Sequence, residues 1–146
     1  YLYNWTREPW QTEQRVREIM QQMYQNRVDG LSGNDDCGQM SAWYIFSALG
    51  FYPVCPGSDQ YVLGSPVTHK AVLRLENGKT FTVRTRNQSH GNHHVKSVTL
   101  NGKPWHKSYI THGEILQGGE LLFEMSSKPD RRSSTYEQPY SFTQQQ

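Results

Sequence analysis

The run 39–49 reads Gln-Met-Ser-Ala-Trp-Tyr-Ile-Phe-Ser-Ala-Leu and has almost no polar face. Gly50 follows it as a left-handed cap, and Pro53 and Pro56 forbid its return. A helix apolar all round must be buried among other helices. Only one other long helix is legible. From Gln11 to about Arg27 the residues Val16, Ile19, Met20, Met23 and Tyr24 recur at helical spacing, and Glu13, Arg15, Arg17, Glu18, Gln21 and Gln22 occupy the other face. Thr12 is the expected N-cap and Asp29-Gly30 the expected stop. One amphipathic helix cannot cover an all-apolar one, so further partners are expected from a longer polypeptide or another subunit. The first residues, Tyr1-Leu2-Tyr3-Asn4-Trp5, form neither a signal peptide nor an initiating Met, and an upstream continuation is expected.

Composition narrows the class. With 146 residues the chain is long enough for a real core, yet only 34% are hydrophobic while aromatics reach 12%. The apolar surface is therefore concentrated in large rings, a pattern suited to carbohydrate handling or to an interface. A net charge of +2 with no basic stripe argues against nucleic acid. No stretch approaches the roughly 20 apolar residues of a membrane helix, so membrane insertion is not expected. Cys37 and Cys55 flank the apolar helix. A helix of about 12 residues is about 18 Å long, which separates the two thiols unless the chain doubles back, so a disulfide is disfavoured.

After Gly57 the periodicity changes from helix to strand. Tyr61-Val62-Leu63 is a short strand, and the alternating runs 71–75 and 80–84 flank Glu76-Asn77-Gly78-Lys79, a strong hairpin signal. A second such device joins 95–100 through Asn101-Gly102 to a strand near Ser108-Tyr109-Ile110. Thr111 and Glu114 form a capping-box pattern, Gly118-Gly119 closes that turn, and 120–125 is a last strand. These elements read as a small antiparallel β segment. From Pro129 to Gln146 the composition is polar and aperiodic, and an extended or disordered tail is expected.

The chemistry-bearing residues are few. Asp35 and Asp36 stand where the apolar helix begins, and the unpaired N–H groups and dipole there favour ionised carboxylates. Such a carboxylate serves as a general base toward water or as a ligand for a hard cation; the competing reading is a simple helix cap. His90, His93 and His94 form a His-x-x-His-His cluster, but Gly91 and Asn92 inside it and the lack of a Cys or carboxylate at motif spacing favour a solvated loop over a metal site. Trp5 and Trp10 are read as packing residues before sugar-stacking ones, and Trp43 and Tyr44 as core. Serine-hydrolase, phosphate-loop and CxxC patterns are absent.

The stretch Gly33-Asn34-Asp35-Asp36-Cys37-Gly38-Gln39-Met40-Ser41-Ala42-Trp43-Tyr44, continued by 46–54 and Pro56-Gly57, resembles the signature of glycoside hydrolase family 92. The resemblance extends over Tyr1-Leu2-Tyr3-Asn4, Leu63-Gly64-Ser65-Pro66, 75–79, Leu100-Asn101-Gly102 and Ser127-Lys128-Pro129. Members are calcium-dependent, inverting, exo-acting α-mannosidases with an N-terminal β-sandwich and a catalytic (α/α)6 barrel. The resemblance implies an α+β fragment: the last barrel helices with the acidic loop in 1–58, an antiparallel β segment in 59–128 and a polar tail in 129–146. It makes Asp36 the general base and Asp35 its neighbour in the same loop, with the general acid upstream. Some members carry an acid where this chain has Asn34. Ca2+ is the implied cofactor, a mannose-containing glycan (N-glycan or mannan) the substrate, the remainder of the enzyme the partner, and a secreted or periplasmic location the setting. The alternative class is a noncatalytic carbohydrate-binding or structural interface module.

Overall fold

The computed structural model describes residues 1–142; the last four residues of the expected tail lie outside the described part. In chain order the elements are a 3-10 turn at Leu2–Trp5, helices α1 (Pro9–Met23) and α2 (Gln39–Leu49), strands β1 (Phe51–Tyr52), β2 (Gln60–Leu63), β3 (Lys70–Arg74), β4 (Thr80–Arg86), β5 (His94–Leu100), β6 (Lys103–Pro104) and β7 (Tyr109–Thr111), the short helix α3 (His112–Leu116), strand β8 (Gly119–Ser126), and a 3-10 turn at Arg131–Thr135.

α1 starts earlier and ends earlier than its apolar pattern suggests. Pro9 opens it, since a helix's first residue needs no N–H, and Glu8 stands at the cap without a side-chain bond. Thr12 is thus inside the helix and buried rather than at its N-cap. Tyr24 leaves the helix in an extended conformation and bridges to Leu31, so the helix stops before Asp29-Gly30. The buried positions are Pro9, Thr12, Glu13, Val16, Arg17 and Met20, a regular stripe three and four residues apart. Helical periodicity is therefore correct, but the covered face is rotated: Glu13 and Arg17 lie inside, while Ile19 and Met23 are 36% and 44% exposed.

α2 matches its expected bounds, with Gly38 and Gly50 both left-handed at its ends. Gly50 lies at φ 93°, and a Cβ there would meet Pro66 at 2.8 Å, so both backbone and space demand glycine. Phe46 and Leu49, at the C-terminal end, pack on the buried cluster formed by Phe51, Leu63, Ile110, Phe81, Leu121 and Phe123. Ser47 is the one buried residue of the helix, and Ile45 is 60% exposed. The helix is thus seated on the β part by one flank, its Trp43 is covered by Tyr1, Tyr24 and Tyr52 on another, and the face that carries Tyr44 and Ile45 stays exposed.

The β part is two sheets. β1, β2 and β7 form an antiparallel three-stranded sheet; the five-stranded sheet runs β3-β4-β8-β5-β6. The expectation of a purely antiparallel segment fails at one pairing, because β8 inserts between the two hairpins and runs parallel to β4 while antiparallel to β5. The Asn77-Gly78 hairpin forms as expected, with Asn77 Oδ1 accepting from the Lys79 amide at 3.0 Å. The second hairpin is tighter than expected. Asn101 (φ 51°) and Gly102 (φ 76°) are both left-handed, the demand of a two-residue turn whose twist matches its strands, so Leu100 pairs at once with Lys103. Residues 109–111 are thereby released to the other sheet, where they pair with β2. The capping box at α3 is present: Thr111 Oγ1 accepts from the Glu114 amide and Glu114 accepts from the Thr111 amide.

Residues 129–142 are not an extended or disordered tail. Asp130 caps the 3-10 turn through the Arg132 amide, and the chain then crosses both ends of the fold. The Ser108 amide donates to the Glu137 carbonyl at 2.8 Å, Gln138 donates to the Trp5 carbonyl at 3.0 Å, and Trp5 Nε1 donates to the Tyr140 carbonyl at 2.9 Å. The Arg131 guanidinium lies 4.3 Å from the Trp10 ring centroid. Trp5 and Trp10 therefore pack against this chain's own C-terminal segment, which explains a polar stretch that stays put: it is held by hydrogen bonds rather than by an apolar face. Truncation after Lys128 is expected to lower Tm by several degrees while leaving the β-sheet circular-dichroism signal in place; an unchanged Tm would show that this segment adds nothing.

Candidate active site

The acidic turn is a run of left-handed backbone. Asp36, Cys37 and Gly38 take φ values of 38°, 61° and 83° in succession. Non-glycine residues adopt this region at a cost of about 1–2 kcal/mol each, so the turn is strained at two positions. It is held by the Gln39 amide, which donates to the Asp35 carbonyl at 2.8 Å, and by the Asp35 side chain. Asp35 Oδ1 accepts from the Ser41 amide at 2.9 Å and Oδ2 from the Ser41 hydroxyl at 2.7 Å. These bonds hold the Asp35 carboxyl below the usual aspartate range.

The two carboxylates thus separate into two jobs. Asp35 spends both oxygens on Ser41 in the first turn of α2, although the N-cap itself is Gly38, so neither aspartate is the simple helix cap that spacing suggested. Asp36, turned out by its left-handed backbone, is exposed and makes no side-chain hydrogen bond or ion pair to any described residue. A carboxylate presented in this way can accept a proton from a bound water. Cys37 and Cys55 are both exposed and form no disulfide among the described residues.

The neighbouring surface is aromatic. The Tyr24 ring stacks on Trp43 at 5.7 Å and tilts against Tyr44 at 4.9 Å, and its hydroxyl donates to the Met40 carbonyl at 3.1 Å. This pins the end of α1 to the start of α2 and so fixes the acidic turn relative to both helices. An open groove of about 410 Å³ runs beside it, lined by Tyr24, Gln25, Asn26, Leu31, Ser41 and Tyr44. Tyr44 is 38% exposed rather than core.

The histidine cluster disperses. His90 is exposed and His93 half-buried, but His94 opens β5 and is buried, with Nδ1 3.0 Å from Glu13 Oε2. The same Glu13 oxygen accepts from the Val95 amide at 3.1 Å. The solvated-loop reading therefore fails for His94. Its partner is 81 residues away, beyond the reach of any motif spacing. The signal that was available is the Glu13/Arg17 pair, which falls on the same stripe as Val16 and Met20. Among the described residues no three His, Cys, Asp or Glu side chains converge in a metal-holding group.

A family model described as the glycosyl hydrolase family 92 catalytic domain matches residues 1–127. An uncharacterized secreted glycosidase of Arthroderma benhamiae is 30% identical over 124 residues, covering 83% of this chain and 16% of that protein. The structure of a family 92 α-mannosidase from Bacteroides thetaiotaomicron, solved with mannoimidazole, superposes with a TM-score of 0.93 at 44% identity, covering 97% of this chain and 19% of that one. A family 92 inverting mannosidase of the same organism gives 0.86 at 41% identity, over 92% and 19% of the two chains. This chain therefore spans about a fifth of the length of its solved relatives, and it belongs to the glycosyl hydrolase family 92 catalytic-domain family.

Proposed function

We propose that this chain is the C-terminal part of an inverting exo-α-mannosidase and that it supplies the general base, Asp36, to a site completed by the remainder of the enzyme. One observation carries the reading: in a family 92 catalytic-domain segment, the acidic turn ties up Asp35 and leaves Asp36 exposed and unengaged on strained backbone. In an inverting reaction a base deprotonates water as it attacks the anomeric carbon, while an acid on the opposite side protonates the leaving oxygen. The two carboxyl groups stand roughly 6.5–9.5 Å apart. Asp36 takes the water's proton. Asp35 positions it by holding the turn on α2. The acid belongs to the remainder of the enzyme.

On this reading the exposed face of α2 at Tyr44 and Ile45 and the exposed Ile19 and Met23 of α1 face further helices of an (α/α)6 barrel, with residues 1–58 as its last part and the β segment packed behind. Terminal mannose of an N-glycan or mannan is the proposed substrate, and a secreted or periplasmic enzyme the proposed setting; the relative from Arthroderma benhamiae is named as secreted. Calcium needs about six to eight oxygen ligands. Asp35 has both oxygens engaged and the described residues bring no three acidic or histidine ligands together. If calcium is bound, most of its oxygen ligands would come from the remainder of the enzyme.

The 146-residue chain by itself is expected to release no mannose from a glycan, whereas the complete enzyme does so. Release by the purified chain would contradict the proposal of a shared site. Sugar binding without release by the complete enzyme would favour the noncatalytic-module reading instead.

A further inference from the structure

A second groove, of about 240 Å³, lies between α1 and the segment before β5, where Gln14, Arg17 and Gln21 face His90, Gly91 and His93. Arg17 is only 5% exposed. Its Nε donates to Ser65 Oγ at 2.9 Å, and Ser65 in turn donates to the His93 carbonyl. Its Nη2 is buried and has no partner among the described residues. A guanidinium has five N–H donors, and burying its charge without a counter-ion is costly. The carboxylates nearby are already committed. Glu18, on the groove wall, is held by Arg15 at 2.6 Å and by Gln14 at 2.9 Å, and Glu13 is bound to His94 and Val95. What remains is one buried cation with unused donors, flanked by two imidazoles and amide side chains.

We propose that this groove is an oxyanion site, which takes a carboxylate or a phosphate group on the Arg17 guanidinium with His90 and His93 at its rim. Planar, charge-assisted pairing with an oxyanion is the contact an arginine fork makes best. The field around the groove agrees: burial, then His94 and Arg17, push the His93 imidazole below its ordinary pKa, and a bound anion would oppose that shift. The oxyanion has two sources, a free ligand or a carboxylate side chain from the remainder of the enzyme, and the test distinguishes them.

The histidine ring signals of the 146-residue chain are followed by NMR as inorganic phosphate, and separately acetate, is added at constant ionic strength. Saturable shifts at His90 and His93, an upward move of the His93 titration, and an affinity loss of about tenfold in Arg17→Gln are expected. Equal shifts at His69 and His106, or unchanged affinity in Arg17→Gln, would overturn the proposal. Should Arg17→Gln not fold, the rim variant His90→Ala/His93→Ala is expected to bind phosphate severalfold more weakly at unchanged Tm, and unaltered binding would count against the site. In the complete enzyme, retained phosphate binding identifies a free ligand. Loss of binding together with a lower Tm in Arg17→Gln identifies the enzyme's own carboxylate; loss of binding with an unchanged Tm overturns both.

Discussion

Asp36→Asn in the complete enzyme is expected to lower kcat by about 10²–10⁴-fold with little change in KM, because a positioned general base contributes that much and acts on water rather than on substrate affinity. The neighbouring Asp35→Asn variant should behave differently. Asp35 holds the Ser41 amide and hydroxyl, so its loss should loosen the turn and lower Tm along with a smaller fall in kcat. Steady-state kinetics with thermal melts on both variants separates the roles. Near-normal turnover in Asp36→Asn removes Asp36 from the base position, and a larger kcat loss at Asp35 than at Asp36 exchanges the two assignments.

The second large effect is structural. Glu13 and His94, each with 8% side-chain exposure, join α1 to β5 across the interior. Glu13→Ala is expected to cost about 3–5 kcal/mol, because it strips a buried imidazole and the Val95 amide of their acceptor at once. Urea or thermal unfolding of the 146-residue chain measures it, and a loss below about 1 kcal/mol, the worth of an ordinary hydrogen bond, would show that the pair is dispensable. The pH dependence has a definite sign. Burial raises the Glu13 carboxyl above the usual glutamate value of 4.5, against the opposing pull of the His94 and Val95 bonds. A group whose pKa is raised by folding contributes stability fully below its unfolded value and loses it as pH rises through the folded value. The Tm difference between the native chain and Glu13→Gln should therefore shrink as pH climbs from 4.5 toward neutrality, with Glu13→Gln the less pH-sensitive of the two.

Local signals in the sequence carried well where chemistry and geometry sit close together. The bounds of α2, the Asn77-Gly78 hairpin and the Thr111/Glu114 capping box all follow from residues within four positions of one another. Signals that depend on distant partners did not carry. The face α1 buries is set by His94 and Ser65, 81 and 48 residues beyond their partners, so two charged residues that read as solvent-facing are interior. The parallel β4–β8 pairing depends on where a late strand inserts, which period-two alternation does not encode. Residues 129–142 mislead for the opposite reason: their order comes from backbone hydrogen bonds and a stacked arginine, none of which leaves an apolar pattern. At the site itself, the acidic pair was legible as a pair, but its division into a carboxylate held by Ser41 and a free one required the three left-handed residues that no spacing announces.

The central claim is that Asp36 acts by activating water, and chemical rescue tests it most directly. In Asp36→Gly, or Asp36→Ala, of the complete enzyme, the activating carboxylate is gone but the space it faced is open. Azide needs no base, since it attacks as an anion: a carbon–nitrogen bond forms on the face opposite the departing oxygen, which takes its proton from the acid. The account predicts that azide restores turnover in the variant, though not in the native enzyme, and yields a mannosyl azide of inverted, β configuration. A variant that azide leaves inactive while it still binds mannoside normally, or one that produces the α-azide, would contradict it.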